Sequence, residues 1–178
     1  MLRYLAGTSS LGIKFSGDAD NSDLHCFVDS DFAGDIETRR STYGYIVFLA
    51  GGPVSWRSKR QECVTLSSTE AEYIGISEAG KQVKFLRLLL REMNMLPEGM
   101  QSVIFNDNRN AVSMTNDDES FRKTKHIEVR FRWIQEAIRN KMMNVAWVPA
   151  KEMVADILTK AVKRQVFEEL RDKIMTKV

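Results

Sequence analysis

The longest regular pattern in the chain runs from 65 to 93, where Ala79, Val83, Leu86, Leu90 and Met93 recur at three- and four-residue spacing and line one face of a long helix. Ser67 followed by Glu70 supplies its start, a capping box in which hydroxyl and carboxylate satisfy free backbone donors of the first turn. Upstream the apolar residues come in short runs instead. Residues 24–28 end abruptly in Asp29 and Asp31, 42–50 read TYGYIVFLA, and Gly51-Gly52-Pro53 turns into PVSWRSK. These predict three consecutive strands, an antiparallel meander. Downstream, 102–105 predicts a strand running into Asn106-Asp107-Asn108, followed by a brief helix at Ala111-Val112. Residues 124–142 predict a helix striped by Ile127, Phe131, Ile134 and Ile138, and 144–148 a fifth strand closed by Pro149. A short helix over 151–160 and a last amphipathic one around Val166, Leu170 and Ile174 complete the series. Residues 1 to 20 offer only an apolar turn, the punctuation Gly7 to Gly12 and an extended, loop-ended piece, which suggests the tail of an upstream unit.

Three strands, helix, strand, helices, strand, helix is an α/β order with a five-stranded mixed sheet. It is antiparallel through strands one to three and parallel where the long helix returns the chain. A length of 178 residues fits one domain, and 43% apolar with 28% charged residues is a globular rather than a disordered composition. The net charge of +2 selects no partner by itself. Cys26 and Cys63 match neither a metal nor a redox spacing and read as reduced thiols of an intracellular protein. No run has the length of a signal peptide or a membrane span, so a soluble, non-secreted protein without a membrane partner is expected.

Four carboxylates occupy distinctive places: Asp29 at the end of strand one, Glu72 in the first turns of the long helix, Asp107 at the end of strand four and Asp156 within the last short helix. Singly, Asp29 has a local explanation as a strand exit, Asp107 as a helix cap and Asp156 as a surface acid. Glu72 has no capping role and borders the buried stripe. If strand four pairs with strand one, Asp29 and Asp107 end on neighbouring strands and the helices bring Glu72 and Asp156 alongside. Asp31 shares the face of Asp29, and spacing alone does not choose between them. Clustered acids repel one another and call for a cation. Hard oxygen ligands suit magnesium or manganese, and two such ions about 3.5–4 Å apart clamp the attacking and leaving oxygens of a phosphodiester displacement.

FVDSDFAGD, TRRSTYGY, VSWRSKRQ, LSSTEAEY, FNDNRNAV, TKHIEV and VADILTK, in this order, resemble the ribonuclease H domain of the Pol polyprotein of copia-type retrotransposons. RYLAGTSSLGI resembles the end of the reverse transcriptase region just upstream. The resemblance implies a ribonuclease H-like fold over 21–160, with 1–20 as the upstream tail and 161–178 as a C-terminal helical tail. It implies Asp29, Glu72, Asp107 and Asp156 as catalytic and metal-binding residues, with Asp29 bridging two Mg2+ ions for which Mn2+ substitutes. Glu72 and Asp107 would hold mainly one ion and Asp156 complete the other. The implied activity is endonucleolytic hydrolysis of the RNA strand of an RNA–DNA hybrid, with the reverse transcriptase portion of the same polyprotein as partner. The implied setting is the cytoplasm, in a virus-like particle, with the nucleus as the other compartment. The alternative is a non-catalytic relic of the fold serving as a nucleic-acid-binding or connection module. The histidine that many ribonucleases H carry before the last catalytic helix has no counterpart between Val148 and Asp156.

Arg57, Lys59 and Arg60 beside Trp56 form one candidate surface for nucleic acid. Lys123, Lys125, His126 and Arg130, within a stretch over 122–141 that carries seven basic residues against two acidic ones, form another. The stretch reads equally as a solvated helix face or a phosphate-tracking surface. Trp56 reads as core rather than as a stacking platform, and His126 as a structural or capping histidine with substrate contact as the alternative.

Overall fold

A computed structural model describes residues 2–16, 23–97, 99–116 and 125–178, with the backbone alone for 125–128. Strands β2 (His25–Asp31), β3 (Thr42–Leu49) and β4 (Gly52–Arg60) form the expected meander. β5 (Ser102–Asn106) and β6 (Met143–Trp147) add parallel to β2, giving the order β4-β3-β2-β5-β6. The helices are α1 (Leu2–Gly7), α2 (Ser68–Glu92), α3 (Arg109–Asn116), α4 (Lys125–Arg139) and α5 (Arg164–Asp172). Outside the main sheet, β1 (Leu11–Gly12) pairs antiparallel with β7 (Thr176–Lys177), so residues near the two ends of the chain lie together.

The capping box forms as the sequence predicts. Ser67 Oγ accepts from the Glu70 N–H at 3.1 Å, and the Glu70 carboxylate accepts from the Leu66 N–H at 2.7 Å. Capped there, α2 lays Ala79, Val83 and Leu90 into a core shared with Val28, Tyr43, Val47, Ile104 and Ile134. Met93, the last residue of the predicted stripe, is instead an exposed C-cap. Arg87 takes a buried place on the same helix, donating to Ser102 Oγ at 2.9 Å and the Met100 carbonyl at 2.7 Å.

The other sheet face is covered by two short 3-10 helices, Ala150–Glu152 and Val154–Leu158, where the sequence predicts one helix. Met153, Val154 and Ala155 are all buried, and they split between two clusters: Val154 joins Ile46, Phe48 and Leu170, while Met153 and Ala155 join Val148. A single α-helix buries one stripe and does not drive three consecutive apolar residues inward. Trp56 is a second correction. It sits on the edge strand β4, where no further strand covers it, and is 59% exposed.

Two glycines let elements close on the sheet at one level. A Cβ at Gly75 of α2 would meet Ser30 Oγ at 2.6 Å, and one at Gly44 would meet Leu158 Cβ at 2.6 Å. Gly44 is the register partner of Asp29. The sheet is thus pinched from both faces where Asp29 stands. Gly44→Val is expected to push the Val154–Leu158 segment off the sheet and cost about 1–3 kcal/mol, the usual range for overpacking. Urea denaturation checks this, with an unchanged midpoint as the contrary result.

Candidate metal centre

The parallel ladder between β2 and β5 ends at the pair Phe27–Phe105. Beyond it the backbones have no further partner in each other, and Asn106 takes over. Its fully buried amide donates to the Val28 carbonyl and to Glu72 Oε2, both at 2.9 Å, while its oxygen accepts from the Asn108 N–H at 3.0 Å. One side chain thereby fixes β2, β5 and the first turns of α2 together. Asn108 Oδ1 caps α3 through the Ala111 N–H at 3.0 Å, so the helix cap falls to Asn108 and Asp107 is left for other work. Trp147 Nε1 donates to the Asp107 carbonyl at 3.0 Å, and the Arg109 guanidinium lies 3.5 Å over the indole.

Asp29, Glu72 and Asp107 converge here, each offering a carboxylate oxygen, all within 4.8 Å of one another. Asp29 and Glu72 are buried and Asp107 is half-buried. Asp156 lies outside this triad but is linked to it. Lys160 Nζ stands 3.0 Å from Asp156 Oδ1 and 3.6 Å from Asp29 Oδ2, and the Thr159 hydroxyl donates to Asp29 Oδ2. Asp31 stays out of the group and packs over the turn at Gly34.

The electrostatics are those of a crowded acidic cluster. Burial, and then the Asp29 charge, push Glu72 from an ordinary 4.5 up to about 9, against the hydrogen bonds from Asn106 and the Ser30 backbone. Burial followed by Asp29 also raises Asp107 and moves Asp156 from 3.8 to about 6. Burial lowers Lys160, but the charges of Asp29 and Asp156 outweigh it and the lysine is raised. A set of hard carboxylate oxygens crowded in this way fits magnesium or manganese. Asp29, Glu72 and Asp107 would hold one ion, and Asp156, joined to Asp29 through Lys160, is the candidate for a second.

The basic candidates divide. Arg57 and Lys59 stand opposite Tyr45 and Tyr43 and so share the α2 side of the sheet, whereas Arg60 lies on the other face and pairs with Asp35. Lys59 pairs with Glu62 at 2.8 Å, and Arg130 pairs with Glu78 of α2. Lys123 lies outside the described residues, as do the side chains of Lys125 and His126. Asn106, Thr159 and Lys160 are the site residues that sequence reasoning passed over. Asn106 directly precedes Asp107, and the other two follow Asp156 by three and four positions, one helical turn on.

No family model matches the chain. It is 39% identical over 168 residues, 94% of its length, to the retrovirus-related Pol polyprotein from transposon TNT 1-94 of Nicotiana tabacum. It is 35% identical over 174 residues, 98% of its length, to that from transposon RE1 of Arabidopsis thaliana. The chain spans 12% of each of these relatives. Among solved structures, LC11-RNase H1 from compost superposes with a TM-score of 0.58 at 15% identity, covering 78% of this chain and 93% of that one. Foamy viral protease-reverse transcriptase in complex with RNA/DNA hybrid gives 0.53 at 9% identity, over 83% of this chain and 20% of that one. Among the described residues no helix is long and apolar enough to cross a membrane.

The sign of the Glu72 shift sets a test. Between pH 4.5 and about 9 the folded chain keeps a proton that the unfolded chain has released. Metal-free stability therefore falls as pH rises through that window. Calorimetry in chelator is expected to show Glu72→Gln melting higher than the parent at pH 8 and converging with it at pH 4.5, at roughly 2–4 °C per kcal/mol for a chain of this size. A difference independent of pH would contradict a protonated Glu72. The fold and these relatives together identify the chain as a ribonuclease H-fold segment belonging to the retrovirus-related Pol polyproteins of transposons.

Proposed function

We propose that this segment is a divalent-metal-dependent endonuclease that hydrolyses the RNA strand of RNA–DNA hybrids during reverse transcription of a retroelement. The observation that carries the reading is the convergence of Asp29, Glu72 and Asp107 within 4.8 Å at the end of the central strands of a ribonuclease H fold. Bound Mg2+ or Mn2+ would neutralise the carboxylates, lower the pKa of a water and stabilise charge on the scissile phosphate. The chain's own contribution is placement. Asn106 orients Glu72, Thr159 orients Asp29, and Trp147 fixes the backbone of Asp107.

Substrate binding falls in this reading to Arg57, Lys59 and Arg130 on the α2 side, with Lys123, Lys125 and His126 from the neighbouring segment. The Lys59–Glu62 ion pair is an exposed one of small net stability, open to exchange for phosphate, whereas the Arg130–Glu78 pair is half-buried. Discrimination of RNA follows from contacts to 2′-hydroxyl groups in a wide, shallow minor groove. Residues 1–20 are the end of the upstream polymerase region, which is the partner in the same polyprotein, and the site of action is the cytoplasmic virus-like particle.

An end-labelled RNA–DNA hybrid incubated with the purified chain tests this. RNA cleavage is expected with magnesium and with manganese and not with chelator. Asp29→Asn and Asp107→Asn are each expected to lose at least about 100-fold in rate, the upper end of what outer partners of a metal site cost. Both variants should still bind the hybrid. Intact fold and hybrid binding without cutting, at high protein concentration and with either metal, would favour the non-catalytic relic.

A further inference from the structure

Lys160 is the basic side chain that enters the acidic cluster among the described residues, and the way it enters is specific. Its Nζ lies 3.0 Å from Asp156 Oδ1 and 3.6 Å from Asp29 Oδ2, bridging the two carboxylates that the metal-site reading above gives to the second ion. The carboxylates are fixed: the Asp29 side chain is 3% exposed and the Asp156 side chain 12%. The lysine side chain is 39% exposed. It leaves the short helix just past its C-terminal end, and its four-carbon stem is flexible. A lysine is a compact point charge with three donors and places no geometric demand on the carboxylates it meets.

We propose that Lys160 is a tethered cation that competes with the divalent ion for Asp29 and Asp156, holding that half of the site neutral until the ion displaces it. The inference rests on the metal-site reading. An ammonium at 3.0 Å and an ion seated on the same carboxylate oxygens cannot occupy the place together. Entry of the ion therefore requires the lysine to leave. Two consequences follow. The ion held by Asp29, Glu72 and Asp107 binds more tightly than the one shared by Asp29 and Asp156, and the displaced ammonium, one turn past Asp156, is placed to meet the phosphate of an incoming nucleic acid.

Titration of the full chain with Mn2+, without nucleic acid, followed by calorimetry and by the electron paramagnetic resonance of free Mn2+, tests the competition apart from any activity. Lys160→Met keeps the length of the stem and removes the charge. It is expected to bind the weaker ion about tenfold more tightly, with a much smaller change at the stronger site. Lys160→Arg keeps the charge and is expected to stay near the parent affinity. Lys163→Met, which removes a charge from an exposed position at the start of α5, controls for net charge. Thermal melts supply a second readout: Lys160→Met should melt below the parent in chelator and recover on adding Mn2+. Tighter Mn2+ binding by Lys160→Met alone supports the inference. Equal or weaker binding by Lys160→Met, with the parent binding Mn2+ normally, overturns it and leaves the metal site standing. Failure of both chains to bind Mn2+ overturns the inference together with the metal-site reading.

Discussion

The hydrogen bonds of Asn106 hold the structure's functional end together. The β2–β5 ladder stops at Phe27–Phe105, and a buried carbonyl at Val28 and a buried carboxylate at Glu72 are left facing each other across the gap. Without Asn106 the Val28 carbonyl would lose this partner, at a desolvation cost of roughly 1–3 kcal/mol, and Glu72 would keep the Ser30 N–H but lose the amide. One amide satisfies both. The same contact holds Glu72 close to Asp29 and Asp107, where its charge is least favourable. The protein thus spends stability from its core to keep acids together, an arrangement that makes sense where a cation relieves the repulsion.

Around this point the fold behaves as a clamp. α2 descends onto one face of the sheet at Gly75 and the Val154–Leu158 segment onto the other at Gly44 of β3, each approach closer than a Cβ would allow. From the second face come Asp156, Thr159 and Lys160, three residues of one short turn that all reach the Asp29 carboxylate or its surroundings. Asp29 is the hinge of the site because it is the one acid contacted from both faces.

Much of this was legible in the sequence, where local chemistry decides the outcome. The Ser67–Glu70 box and its apolar stripe placed α2, and three short runs joined by short connections placed the meander. The end of each run in an acid placed Asp29 and Asp107. What local pattern cannot carry is tertiary choice. Asp29 and Asp31 share a strand face, and only the cluster separates them. Trp56 has the composition of a core residue, yet stands exposed on the edge strand β4. The stretch over 151–160 has a helical composition, but the split of Met153, Val154 and Ala155 between two clusters imposes the tighter turn. Asn106, Thr159 and Lys160 act across distances of 34 to 131 residues in the chain, so no spacing rule announces them, although their places beside Asp107 and Asp156 do.

Anomalous diffraction from crystals grown with Mn2+ would show whether Asp29, Glu72 and Asp107 form a divalent cation site. A strong manganese peak in contact with oxygens of all three carboxylates is expected, with the Asn106–Glu72 hydrogen bond retained. A manganese ion bound elsewhere, with the three acids still crowded together and Lys160 still on Asp29, would contradict it.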